Sequence, residues 1–332
     1  MGYKVAIAGA TGAVGVELID LLEKRNFPVD ELRLLASSRS AGKQVLFKGE
    51  SVTVEELTHN SFQGIDIAFF SAGASRSKEY CPSAVSAGAV VIDNSSAFRM
   101  DEDVPLVVPE VNPEALQNHK GLIANPNCTT IQMLVAINPL HKAATINRVV
   151  VATYQSVSGS GAAAIIELEN QVKAHVQGDP LVHDIYPYPI AFNAIPQVDV
   201  FLENGYTKEE MKMVNETRKI MSAPNIMVSA TCVRVPVIRA HSEVIQIETE
   251  KKLSAVEARE ILAKSPGIIV MDERVPGGYP VPSEVAKKFE TYVGRIREDI
   301  SVKNGLAFWV VADQLYKGAA LNAIQIAETL KK

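Results

Sequence analysis

Lys4-Val5-Ala6-Ile7-Ala8-Gly9-Ala10-Thr11-Gly12-Ala13-Val14-Gly15 decides the fold class of this chain. A short apolar run leads into a glycine turn, and Val16, Leu18, Ile19, Leu21 and Leu22 then give a helical apolar face. Strand, turn and helix in that order make a dinucleotide-binding unit. The glycines allow a tight turn and let backbone N–H groups approach a pyrophosphate at the helix N-terminus. The spacing is G-x-x-G-x-x-G rather than G-x-G-x-x-G, so position and context carry the reading against a glycine turn with no ligand. Gly9, Thr11, Gly12, Ala13 and Val14 are the expected cofactor contacts.

The pattern repeats outward. Leu32 to Ala36 reads as a second strand and ends in Ser37-Ser38-Arg39-Ser40. An enzyme selective for NAD usually places a carboxylate here for the ribose 2′-hydroxyl. Ser38, Ser40 and the Arg39 guanidinium instead suit a 2′-phosphate, which predicts NADP. Ile65 to Phe70 is the next strand, and Ser71-Ala72-Gly73 after it would let the cofactor lie close. Ala89 to Ile92 follows, with Asn94 and Arg99 beyond it. Ligands of open parallel sheets lie past the carboxyl ends of strands, so Arg99 is a candidate anion clamp with Asn94 as helper; a surface salt bridge is the plainer alternative.

Leu122 to Ala124 delivers Asn125-Pro126-Asn127-Cys128-Thr129-Thr130 to that same edge. Pro126 disfavours helix for the residue before it, and Asn127 is a good N-cap. Cys128 then falls in a first helical turn, where unpaired N–H groups and the helix dipole favour the thiolate. A buried structural cysteine is the competing reading.

The 332-residue length suggests two domains, each able to bury a core. Net charge is −5 with no long basic run, which argues against nucleic-acid or anionic-membrane partners. Cys81, Cys128 and Cys232 form neither a disulfide framework nor a zinc pattern; no metal is expected, and a reducing cytoplasm fits. No apolar run approaches a membrane span, and the first residues are too short and wrongly flanked for a secretory signal. The expected location is therefore cytoplasmic.

In the second half, Arg148 to Tyr154 is a β-branched strand followed by Gln155-Ser156-Val157-Ser158-Gly159-Ser160-Gly161, a small-residue loop that opens a helix. Such a loop can donate N–H groups to an anion or skirt a nicotinamide. Residues 178 to 200, rich in proline and aromatics, read as an ordered arm placed to pack on a partner subunit. Thr207 and Glu210 make a capping box, with Glu209 and Lys212 neighbours on one face. Ser229 to Glu248 reads as strand that Pro236 should interrupt; it carries Arg234 and His241, the latter able to exchange a proton near neutrality. Leu306 to Ala312 is a last strand, and Asp313 onward leads to a helix reaching Leu330.

Taken together, Gly9–Gly15, Asn125–Thr130, Tyr154–Gly159, Glu209–Lys212, Arg234–Val237 with Arg239–Glu243, and Asp313–Leu315 resemble the bacterial type of the aspartate-β-semialdehyde dehydrogenase family, in family order over nearly the whole chain. Asn-Pro-Asn-Cys-Thr-Thr is the discriminating piece, because the related N-acetyl-glutamyl-phosphate reductases typically carry Gly-Asn-Pro-Gly-Cys. The resemblance implies an α/β fold. An N-terminal Rossmann-like dinucleotide-binding domain (1–127 and 313–332) joins an α+β catalytic and dimerisation domain with a mixed sheet (128–312), and a C-terminal helix returns to the first. It implies a homodimer or dimer of dimers.

It further implies a nucleophilic Cys128 that forms a thioester with β-aspartyl phosphate, NADPH as hydride donor, and aspartate semialdehyde and inorganic phosphate as products of a reversible reaction. His241 would be the acid–base partner and Gln155 would orient the substrate. Glu209 would take the ammonium, with Glu210 the competing assignment, and Arg234 the carboxylate. Arg99, Lys212 and Asn94 would bind phosphate. Ser158, Gly159 and Gln314 would lie near the cofactor. The rival readings are the N-acetyl-glutamyl-phosphate reductase reaction, a thiol hydrolase, and a non-catalytic NADP-binding sensor.

Overall fold

The structure is a computed structural model that describes residues 2–330. It divides into two compact units, Met1–Asn127 with Ala319–Lys332, and Cys128–Gly318. Sequence reasoning set the second boundary at 313. The unit boundary instead follows Gly318, because the buried Asp313 carboxylate is tied into the second unit. It accepts from Arg239 Nε and from the Lys287 N–H at 2.6 Å, and also from the N–H groups of Leu315 and Tyr316 at 2.9 Å.

The first unit is built on β1 (Tyr3–Ala8), α1 (Ala13–Lys24), β2 (Val29–Ala36), β3 (Gln44–Phe47), β4 (Glu50–Glu56), β5 (Ile67–Phe70), α2 (Ala74–Ser86), β6 (Val90–Asp93) and β7 (Leu122–Ala124). The sheet order is β3-β4-β2-β1-β5-β6-β7, parallel except for the β3–β4 hairpin. The hairpin was not read from the sequence: its exposed faces lack the apolar run of a buried strand. Val5, Ala6, Ile7 and Ala8 have no exposed surface, as expected of a central parallel strand.

The second unit follows with α3 (Cys128–Ala144), β8 (Ile146–Gln155), α4 (Ala162–Gln177), α5 (Lys208–Ile220), β9 (Met227–Arg234), β10 (His241–Thr249), α6 (Ala255–Ala263), β11 (Ile268–Val270), α7 (Pro282–Val285), β12 (Thr291–Glu298) and β13 (Gly305–Ala312). Its mixed sheet runs β11-β12-β13-β10-β8-β9. The stretch Ser229 to Glu248 breaks at residues 235–240, around Pro236, into β9 and β10. Helices α3, α5 and α6 pack on one face. That face takes Val149, Val151 and Thr153 of β8, Ala230 and Cys232 of β9, and Ile245 and Ile247 of β10, all buried. Strand periodicity puts Gln155, Arg234 and His241 on the same face.

Helix α3 is buried on every side from Thr129 to Asn138, as an all-round apolar helix must be. It ends beside the start of β8, separated by Thr145 alone, and so runs back along that strand. Its N-terminus is thereby carried toward the end of β8 where Gln155 lies. The arm at 178–200 is ordered on α4: Gln171 donates to Val182 O and accepts from the Ala191 N–H, each at 2.9 Å, and Glu167 accepts from the N–H groups of Asp184 and Ile185. Within the first unit, α8 (Leu321–Thr329) packs on α1 and β6.

Candidate active site

The glycine turn has the shape a dinucleotide requires. Gly9 has φ +92°, and a Cβ there would meet Ser71 O at 2.4 Å, so the turn and the β5 end approach through a position only glycine fills. A Cβ on Gly15 would strike Gly9 O at 2.2 Å, so the start of α1 can close against the turn only with glycine there. Gly12 is exposed, and its one near neighbour is Gly9 O at 3.3 Å, leaving the outer side of the turn free for a phosphate to reach the first N–H groups of α1. Thr11 Oγ1 donates to Ser40 Oγ at 3.4 Å, joining the turn to the Ser38–Ser40 loop, where Ser38 and Arg39 are exposed. Ser71 and Ala72 are half-buried, and Gly73, at φ +88°, leads α2. These residues fit a dinucleotide.

In the same unit Arg99 is buried, donating from Nε to Asn125 O at 2.9 Å and from Nη2 to Asn94 O at 2.8 Å. Asn94 Oδ1 accepts from Asn125 Nδ2 at 2.9 Å, and Asn125 Oδ1 accepts from Asn322 Nδ2 at 2.7 Å. Two backbone carbonyl oxygens thus orient the guanidinium, which also lies close enough to the buried Asp93 carboxylate to favour its charged form.

The second unit gathers the remaining residues at one edge of its sheet. Gln155 ends β8 beside Arg234 at the end of β9, and His241 opens β10 opposite Ala312 at the end of β13. Gln155 is buried and donates from Nε2 to Glu209 Oε1 at 3.2 Å, and its Oε1 accepts from Thr153 Oγ1 at 3.0 Å. Glu209 Oε2 accepts from Lys212 Nζ at 2.9 Å, and Lys212 also donates to Asp199 Oδ2 at 2.9 Å. Burial disfavours the Lys212 charge, but Glu209 and Asp199 outweigh it and raise its pKa. Glu210 faces elsewhere: one oxygen closes the capping box at Thr207 N–H and the other accepts from Cys232 N–H at 2.9 Å. Glu209 is the carboxylate on the Gln155 side.

Arg234 Nη1 donates to Ser156 O at 2.6 Å. Gly159 backs onto Arg234 and His241; a Cβ there would stand 3.1 Å from Arg234 Nη1 and 3.2 Å from His241 Nε2. Gln314 braces this edge, its Oε1 accepting from Ala240 N–H at 2.8 Å and its Nε2 donating to Ser158 Oγ. Ser158 Oγ and Gln314 Nε2 therefore engage one another, while Gln314 Oε1 is taken up by the Ala240 N–H. Ala240, directly before His241, is held at φ +72°, a conformation costing an alanine roughly 1–2 kcal/mol. Cys128 opens α3 and is partly exposed, whereas Cys81 and Cys232 are buried and burial pushes both thiols up. Only Cys128 has the access and the helix terminus of a nucleophile. Gly318 lies against it, and Gln314 Cβ is 3.4 Å from where a Gly318 Cβ would stand.

Sequence reasoning gave no role to Ser156, Gly318 or Asp199. The first two lie inside stretches it singled out, but their contribution is backbone proximity, which side-chain chemistry does not advertise. Among the described residues no cluster of metal-ligating side chains is present, and no helix is long and apolar enough to cross a membrane.

Two family models match, "Semialdehyde dehydrogenase, NAD binding domain" over residues 4–119 and "Semialdehyde dehydrogenase, dimerisation domain" over residues 137–317. The fold and these matches define a nucleotide-binding oxidoreductase. The chain is 59% identical to the aspartate-semialdehyde dehydrogenase of Aquifex aeolicus, over 100% of this chain and 99% of that protein. It is 51% identical to that of Bacillus subtilis, over 100% and 98%. Among solved structures it is similar to aspartate semialdehyde dehydrogenase II of Vibrio cholerae complexed with ASA, with TM-score 0.97, 49% identity and coverage of 99% and 98%. The Candida albicans enzyme with NADP is more distant, at TM-score 0.77 and 27% identity, covering 99% and 98%. The chain belongs to the aspartate-semialdehyde dehydrogenase family.

Proposed function

We propose that this enzyme catalyses the reversible, NADP-dependent reductive dephosphorylation of L-aspartyl-4-phosphate to L-aspartate-4-semialdehyde, in the aspartate route to lysine and diaminopimelate, threonine, methionine and isoleucine. The observation that carries the substrate is the placement of Glu209 beside Gln155 at the edge that also holds Arg234. A carboxylate for an ammonium and a guanidinium for a carboxylate match a free amino acid group by group. An N-acetylated substrate has no positive charge for Glu209, so that rival is not favoured.

The Cys128 thiolate attacks the acyl carbon of the acyl phosphate, the C–O bond to phosphate breaks and inorganic phosphate departs, and a thioester remains on the enzyme. Bound NADPH supplies the hydride in this direction, and NADP accepts it in the other. Gln155 orients the substrate carbonyl, and Arg99, Asn94 and Lys212 are assigned to phosphate. Gly9, Thr11, Gly12, Ala13, Val14, Ser71, Ala72 and Gly73 are assigned to the dinucleotide, with Ser158 and Gly159 near its nicotinamide end and Ser38, Arg39 and Ser40 on the 2′-phosphate. The face of the six-stranded sheet opposite α3, α5 and α6 carries Tyr154, 39% exposed, with its ring 5.6 Å from Trp309. An exposed aromatic there, with the match to a dimerisation domain, supports a homodimer.

Absorbance at 340 nm with L-aspartate semialdehyde, NADP and phosphate, repeated without phosphate, tests the reaction. Phosphate-dependent NADPH formation is expected. Activity with N-acetyl-glutamate semialdehyde instead would move the enzyme to the sister reaction.

A further inference from the structure

Asp93 ends β6 with no exposed surface, and the chemistry assigned above makes no use of it. Burying a carboxyl group costs free energy unless its oxygens are hydrogen-bonded. Three donors meet it here. Ser77 Oγ at 2.7 Å and the Ser95 N–H at 3.0 Å share Oδ1, and Ser95 Oγ donates to Oδ2 at 2.7 Å. Burial pushes the Asp93 pKa up, and Ser95, Ser77 and Arg99 act the other way. Ser77 lies in the first turn of α2, so Asp93 also pins that helix to the end of β6. Ser95 passes the constraint along the chain, because its Oγ accepts from the Ala97 N–H at 3.1 Å. Residues 93–97 thus form two successive side-chain-to-backbone turns. The Ser95 N–H belongs to the same planar peptide group as the Asn94 carbonyl. That carbonyl accepts from Arg99 Nη2 at 2.8 Å. The bond from Ser95 N–H to Asp93 therefore fixes the direction of the oxygen that receives the guanidinium.

We propose that Asp93, acting through Ser95, is the positioning residue of the phosphate clamp: it sets the plane of the Asn94–Ser95 peptide and so the direction in which Arg99 meets the anion. The inference rests on the assignment of Arg99 to phosphate made above. Asp93 itself touches no substrate. By charge alone a carboxylate beside the guanidinium would weaken an anion site, so its contribution is orientation. The neutral isostere should then preserve the clamp. Asparagine keeps an oxygen for Ser77 and for the Ser95 N–H, and its amide can donate to Ser95 Oγ. Alanine keeps none of these bonds and frees the peptide to rotate.

The KM for inorganic phosphate in the oxidative direction, with L-aspartate semialdehyde and NADP saturating, tests the proposal. Asp93→Ala should raise it about tenfold and Ser95→Ala about threefold, whereas Asp93→Asn should stay within about twofold of wild type. The KM for the semialdehyde and the Kd for NADP should be unchanged in all three. Ser95 is partly exposed, so its alanine variant carries the test should Asp93→Ala fail to fold. A double variant separates positioning from general structure. Asp93→Ala added to Arg99→Ala should raise the phosphate KM no further than Arg99→Ala alone, because the carboxyl group acts through that side chain. Full additivity overturns the proposal, as does equal loss in Asp93→Asn and Asp93→Ala, or a wild-type phosphate KM in Ser95→Ala and Asp93→Ala. A loss spread equally over phosphate, semialdehyde and NADP overturns it too. An unchanged phosphate KM in Arg99→Ala would instead remove Arg99 from the phosphate subsite, and this proposal with it.

Discussion

A Cβ on Gly318 would stand 2.7 Å from the Cβ of Cys128 and 3.2 Å from its Cα. Neither atom is the free end of a flexible side chain, so Gly318→Ala must push the first residue of α3. A nucleophile displaced by about 1 Å loses about 10²-fold in rate. Gly318→Ala should therefore lower kcat by that order while leaving NADP binding, followed by fluorescence titration, unchanged. Cys128→Ser should do the same more completely, by about 10³-fold or more. Substantial turnover by the serine variant would remove Cys128 from the mechanism.

Glu209→Gln keeps the shape of a side chain that accepts from both Gln155 and Lys212 and removes its charge. Hydrogen bonds to charged groups contribute about 1.5–3 kcal/mol, or roughly 10–100-fold. The KM for aspartate semialdehyde should rise by that factor with little change in the Kd for NADP. Glu210→Gln should act instead through stability, because its oxygens serve the α5 cap and the Cys232 N–H. A KM effect confined to the Glu210 variant would reverse the two assignments.

Arg39→Ala should weaken NADP by about tenfold, the loss of one charge-assisted contact, and leave NAD nearly unaffected. Comparable efficiency of the wild-type enzyme with both dinucleotides would count against the 2′-phosphate role.

Glu243, two residues beyond His241, is fully buried with neither carboxylate oxygen hydrogen-bonded. Burial pushes its pKa well up, and the nearby Gln132 acts in the other direction. The unfolded chain releases this proton in the ordinary carboxyl range while the folded protein retains it. Stability is thus fully present below that range and falls as pH rises through the folded pKa. Glu243→Gln should flatten that slope and gain about 1–3 kcal/mol on the alkaline side. Urea unfolding at about pH 6 and about pH 9 checks the sign; a variant with the wild-type slope would assign the pH dependence to another group.

Much of the site was legible because its chemistry sits at the ends of elements with strong local signals. The glycine turn, the N-terminus of α3 and the loop after β8 each pair an apolar run with small or capping residues. Thr207 and Glu210 announced a capping box, and that box is what leaves Glu209 for Gln155. The Ser156 carbonyl that holds Arg234 was not legible, since every residue carries one. Nor was Gly318, whose value depends on what approaches it. The β3–β4 hairpin and the short β11 lack buried alternation, and edge strands depend on pairing more than on sequence.

The division of the chain sets an order of assembly on the ribosome. The second unit is one unbroken stretch, Cys128–Gly318, and can close its core as soon as it emerges. The nucleotide unit is made first yet finished last. Its helix α8 supplies Ile324 and Ile326, both wholly buried, and Asn322 donates to Val107 O at 3.0 Å. Until those residues are translated, the sheet that cradles the dinucleotide lacks part of its cover, so nucleotide binding should be the last property a nascent chain acquires.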